Sequence, residues 1–82
     1  MYNIVVGQVS GQKLLAVVIR HNSQQAARIR ALKVFDFVGP VRIVQTYRTL
    51  KEAEIVERDL NAQYKRIEAR IARLQQYAAG RG

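Results

Sequence analysis

Cysteine is absent from this chain of 82 residues, so neither a disulfide scaffold nor a cysteine zinc site is available. A single histidine, His21, excludes a multi-histidine metal site within one chain. Tryptophan is also missing, and the aromatic residues are four Tyr and two Phe. The core must therefore come mainly from Ile, Leu and Val together with these six aromatic residues. Ten alanines, from Ala16 to Ala79, make up a large part of the 49% apolar content. The longest purely apolar run, Leu14–Ile19, is far short of the roughly 20 residues that span a bilayer. The opening Met-Tyr-Asn-Ile-Val-Val-Gly shows no basic segment followed by an apolar one, so no secretory signal is expected. The expectation is a cytoplasmic protein with no membrane partner.

Acidic residues are scarce and unevenly placed. Six Asp and Glu stand against 14 Lys and Arg, a net charge of +8, and ten of the cations are arginine. Residues 1–51 hold eight cations (Lys13, Arg20, Arg28, Arg30, Lys33, Arg42, Arg48 and Lys51) and one carboxylate, Asp36. The next stretch, 52–63, reverses sign with Glu52, Glu54, Glu57 and Asp59 against Arg58. Residues 64–82 are basic again. Arginine dominance suits phosphate, because the guanidinium fork matches phosphate oxygens. Solubility alone accounts for several net charges on a small domain.

Glycine and proline are few, five and one, and their positions punctuate the chain. Tyr2–Val9 reads as a strand rich in β-branched residues, Ser10–Lys13 as a hairpin turn, and Leu14–Ile19 as a second strand. After the polar break at residues 20–23, with Asn22 or Ser23 as a cap, a short helix over Gln24–Lys33 is expected to bury Ile29 and Leu32. Gly39-Pro40 ends a loop and leads into a third strand, Val41–Tyr47. Thr49-Leu50-Lys51-Glu52 is a capping box, and no Gly or Pro follows until Gly80. A helix from Leu50 to Tyr77 follows, roughly 40 Å long at 1.5 Å per residue. Gly80–Gly82 reads as a frayed tail.

The expected fold is α+β in the order β-β-α-β-α, one domain over residues 1–82 with a three-stranded sheet containing antiparallel pairs. The C-terminal half of the last helix, about residues 65–79, should project. Leu60, Tyr64, Ile67, Ile71, Leu74 and Ala78 alternate steps of four and three, the spacing of a helix seam. The five from Leu60 to Leu74 are the expected interface for a second copy or another protein, in an antiparallel or crossed arrangement. Arg66, Arg70 and Arg73 form a stripe beside this seam. With Arg20, Arg28, Arg30, Lys33 and Arg42, expected as a patch around the first helix, they are the candidate nucleic-acid contacts.

The element order, and above all residues 41–64, resembles the GIY-YIG nuclease domain. In that family a third strand runs into a helix bearing a glutamate with a tyrosine seven residues on; Glu57 and Tyr64 stand at those positions. The resemblance implies a magnesium ion on Glu57, with Arg28 and Tyr2 as further catalytic residues. The family's second tripeptide has no counterpart in Leu14–Ile19, which contains neither Tyr nor Gly. The reading is therefore a small non-enzymatic nucleic-acid-binding protein without cofactor. The alternatives are a protein-binding inhibitor or adaptor acting on a nucleoprotein machine, such as a phage-type anti-CRISPR, and a divergent metal-dependent nuclease of GIY-YIG type.

Overall fold

The computed structural model describes residues 1–80. Strands β1 (Tyr2–Val9), β2 (Lys13–Arg20) and β3 (Arg42–Tyr47) form one antiparallel sheet in the order β2-β1-β3. Helix α1 (Gln24–Val34) lies between β2 and β3 in the chain, and helix α2 (Leu50–Gly80) follows β3. This is the expected α+β fold, with α2 reaching three residues past the expected end. Of the expected tail, Arg81 and Gly82 lie outside the described residues.

The hairpin register follows from the turn. Ser10–Gln12 makes a short 3-10 turn in which Gly11 adopts φ +79°, a left-handed conformation that glycine takes without steric cost. Tyr2 then pairs with Arg20 and Val9 with Lys13. On the other side β1 pairs with β3 from Tyr2–Tyr47 to Val6–Arg42. The register shifts between Ile4 and Val5, opposite Gln45 and Ile43, so Val44 is a bulge residue.

β1 is central and loses water on both faces, which explains the consecutive apolar residues Ile4, Val5 and Val6. Val5 joins Val17, Ile19, Ala27, Ala31 and Val41 in one buried cluster. Ile4 and Val6 join Ala16 and Ala53 in another. The sheet is thus the middle layer, with α1 on one face and α2 on the other. β2 and β3 both run antiparallel to β1, so the β2–α1–β3 connection is a crossover that carries α1 across the sheet.

α1 contradicts the expectation about its buried face. Ala27 and Ala31 are fully buried, whereas Ile29 and Leu32 are each 48% exposed. Two small side chains one turn apart let the helix backbone approach the sheet, and the larger residues are left outside. Ser23, one of the two expected caps, accepts the Ala26 N–H on its Oγ at 3.3 Å. The Thr49 Oγ1 accepts the Glu52 N–H at 3.3 Å, as the capping box requires.

The expected projection of α2 is reflected in the dimensions. The molecule extends 52 × 23 × 15 Å. Its Cα radius of gyration is 15.0 Å, against about 12 Å for a compact domain of this length. No described helix is long and apolar enough to cross a membrane.

Candidate nucleic-acid interface

The carboxylates fall almost wholly in one of the three layers. Of the six carboxylates, Glu52, Glu54, Glu57, Asp59 and Glu68 belong to α2, and only Asp36, in the loop after α1, lies elsewhere. α1 carries Arg28, Arg30 and Lys33 and no carboxylate. With Ala27 and Ala31 against the sheet, the 100° step per residue sends Arg28 and Arg30 off opposite flanks of the helix, with Ile29 between them.

Two shallow clefts follow those flanks. One, of about 220 Å³, is lined by His21, Ala26, Ile29, Arg30 and Lys33. The other, of about 260 Å³, is lined by Gln25, Arg28, Ile29, Leu32, Pro40 and Val41. Their common wall is Ile29. His21 reaches the first cleft because the end of β2 is pinned: the His21 N–H donates to the Met1 carbonyl at 3.0 Å. The buried Asn3 amide donates to the Ile19 and His21 carbonyls at 3.1 and 3.2 Å, and its oxygen accepts the Thr46 hydroxyl at 2.9 Å. His21 Nδ1 accepts the Asn22 N–H at 3.0 Å, which leaves the Nε2 edge for other partners.

The arginine patch expected around α1 is divided by the sheet. Arg42 pairs with Val6, whose side chain lies in the α2-side cluster, so strand alternation turns Arg42 to that side. Arg20 also lies on that side, with its guanidinium 5.8 Å from the centroid of the Tyr2 ring. Arg28, Arg30 and Lys33 remain together with His21 on the α1 side. Arg66, Arg70 and Arg73 are exposed on the distal half of α2.

The residues that the nuclease resemblance groups together are also split. Tyr2 and Glu57 line one cleft of about 430 Å³, with Val18, Arg20, Leu50 and Glu54. Arg28 sits across the sheet from them. Glu57 has a structural partner, for its Oε2 accepts the Val18 N–H of β2 at 2.9 Å. One helical turn later Asn61 accepts the Ala16 N–H and donates to the Ala16 carbonyl, both at 2.9 Å. Antiparallel pairing with β1 leaves outward-pointing groups on the β2 edge, and α2 covers them with these two side chains. Asn61 had no distinguishing sign in the sequence other than its position four residues after Glu57.

The expected partner seam is shortened. Leu60 and Tyr64 pack against the chain's own core with Val56, Tyr47 and Tyr2. The open portion begins at Ile67. No protein family, curated protein or solved structure matches this chain.

Proposed function

We propose that the chain is a cytoplasmic, non-enzymatic nucleic-acid-binding protein that holds the phosphate backbone on its α1 face. The observation that carries this reading is the cationic character of α1: Arg28, Arg30 and Lys33 project from a helix without a carboxylate, the last two beside His21. Cations on both flanks of one short helix suit successive phosphates better than a single small anion. Guanidinium and ammonium groups there would fix the position of the backbone, and the exposed Ile29 and Leu32 would cover sugar edges. Three of the four tyrosines contribute little to base stacking, since Tyr2, Tyr47 and Tyr64 are packed against the α2-side core. The expected binding is therefore governed by salt and largely indifferent to sequence.

Fluorescence anisotropy with labelled duplex DNA, single-stranded DNA and RNA across a salt series tests the proposal. Binding that weakens steeply with salt, and that the triple replacement of Arg28, Arg30 and Lys33 by Ala removes, supports it. Absence of binding at low salt would overturn it and favour a protein partner for the α1 face.

A further inference from the structure

Beyond Tyr64, α2 has left the sheet and its seam continues without cover from the α2-side core. Ile67, Ile71 and Leu74 are 51%, 50% and 61% exposed, in register with the half-buried Leu60 and Tyr64. The accessible surface of the chain is 6331 Å², against roughly 5,000 Å² for a compact monomer of this mass. A row of large aliphatic side chains on one face of a projecting helix is the form of a helix–helix interface.

We infer that the occupant is the same stretch of a second copy, packed antiparallel, with the two-fold axis between Ala72 and Arg73. Length and charge select this arrangement. Past Tyr64, α2 continues from Lys65 to Gly80, and the midpoint of that stretch lies between Ala72 and Arg73. Full overlap therefore faces Ile71 with the second copy's Leu74, and Ile67 with the second copy's Ala78. The flanking positions of this register bring Arg70 beside Tyr77 and Glu68 beside Gln75, with no like charges opposed. Sliding the pair one heptad toward the sheets would set Arg70 against Arg70 and Glu68 against Glu68. It would also drive Ala78 onto Leu60, which the chain's own core already covers. Sliding one heptad outward leaves a single aliphatic layer. A parallel pair would place two strongly basic sheet domains side by side, whereas the antiparallel pair holds them at opposite ends. A cleft lined by Gly11, Lys13, Glu68, Ile71, Ala72 and Gln75, among others, runs between the hairpin tip and this part of α2, and the second helix would enter along it.

Such an interface has only about four helical turns on each side, at the small end of specific contacts, so the dimer is concentration-dependent. Sedimentation velocity from low micromolar to millimolar protein should show the mass rising from 9.4 kDa to twice that value. Ile71→Glu should stay monomeric throughout and keep the far-ultraviolet dichroism of dilute wild type, because residue 71 lies outside both buried clusters. A wild-type monomer at every concentration overturns the inference. The register has its own test, since the chain contains no native cysteine. Ile71→Cys and Leu74→Cys proteins are mixed in equal amounts and oxidised under thiol exchange. The inferred register gives mainly the mixed 71–74 disulfide. Predominance of the 71–71 and 74–74 products would show a parallel pair and overturn it.

Discussion

Asn61 and Ala16 exchange two hydrogen bonds, both 2.9 Å long, across the boundary between α2 and the β2 edge. A side-chain amide acts here as a short piece of neighbouring strand. It offers an oxygen and an N–H to one residue's backbone, which is what a fourth strand would do. Glu57 completes the arrangement at Val18. The helix thereby closes one edge of the sheet, and the other edge carries the bulge at Val44, which disturbs a regular strand ladder.

Replacing Asn61 by Ala removes both bonds and leaves a part-buried N–H and carbonyl on Ala16. The expected cost is about 1–3 kcal/mol. In a domain of this size each kcal/mol lowers Tm by about 4–8 °C. Asn61→Asp keeps the acceptor, loses the donor and sets a carboxylate against the Ala16 carbonyl, so it should be at least as damaging. Thermal melts followed by circular dichroism check both. A wild-type Tm for Asn61→Ala would mean that water replaces the amide without loss.

Glu57 is expected to behave as a structural acceptor. Glu57→Gln retains an oxygen for the Val18 N–H and should cost less than about 1 kcal/mol, while Glu57→Ala should cost about 1–3 kcal/mol. Equal melting temperatures for the Gln and Ala proteins would remove the hydrogen bond from the account. Incubating plasmid with the wild type and with Glu57→Ala, in magnesium and in manganese, addresses chemistry separately. Cleavage present in the first and absent in the second would assign Glu57 a catalytic role and contradict the non-enzymatic reading.

The packing of α1 gives a prediction opposite in sense to side-chain size. Ala31→Leu inserts a large side chain into a fully buried contact with the sheet and should destabilise by about 1–3 kcal/mol. Leu32→Lys replaces a half-exposed residue on the outer face and should change stability by no more than about 0.5 kcal/mol. Chemical denaturation of the two proteins checks the order. If Leu32→Lys proves the more harmful, α1 is seated on its other face.

This reversal shows what the sequence could convey. The strands, the turn at Gly11, the β-β-α-β-α order along the chain and the start of α2 after Thr49 were all legible, because each is set by residues close in the chain. Which face of α1 turns inward depends instead on the gap between helix and sheet, a tertiary distance that favours Ala27 and Ala31 over larger neighbours. For the same reason nothing local in the third strand shows that α1 covers the side on which Val41 lies. The seam of α2 was visible as a heptad pattern. Where it stops serving the chain's own core, between Tyr64 and Ile67, depends on the length of the sheet beneath it.

Gly7 is expected to resist substitution although its backbone is ordinary extended strand. A Cβ built there would lie 2.6 Å from both Phe37 Cδ1 and Val41 Cγ1. Phe37 is held at this place by pairing with Val9 and by the Val38 N–H bond to the Gln8 carbonyl at 2.8 Å. Gly7→Ala should therefore cost about 1–3 kcal/mol through overpacking. Phe37→Leu in the same chain should recover part of the loss, and a double-mutant cycle measures the coupling. Additive losses would show that the two residues do not meet.

The α1 face is expected to divide its contacts between its two flanks. On duplex DNA each phosphate neutralised contributes about −0.9 to the slope of log affinity against log salt. Arg28 and Arg30 leave opposite flanks of α1, one beside Pro40 and Val41 and the other beside His21. They should reach different phosphates, so each single replacement by Ala should flatten the slope by about 0.9, and the pair together by about 1.8. Replacing Arg66, Arg70 and Arg73 serves as the comparison, because these side chains stand on the distal part of α2. A face-specific complex loses less slope from those three than from Arg28, Arg30 and Lys33. If the α2 set proves the more costly, the phosphate-binding surface is the projecting helix, and the α1 face has another use. If Arg28→Ala and Arg30→Ala flatten the slope no further together than singly, both guanidinium groups serve one phosphate. The two flanks would then form a single contact around Ile29.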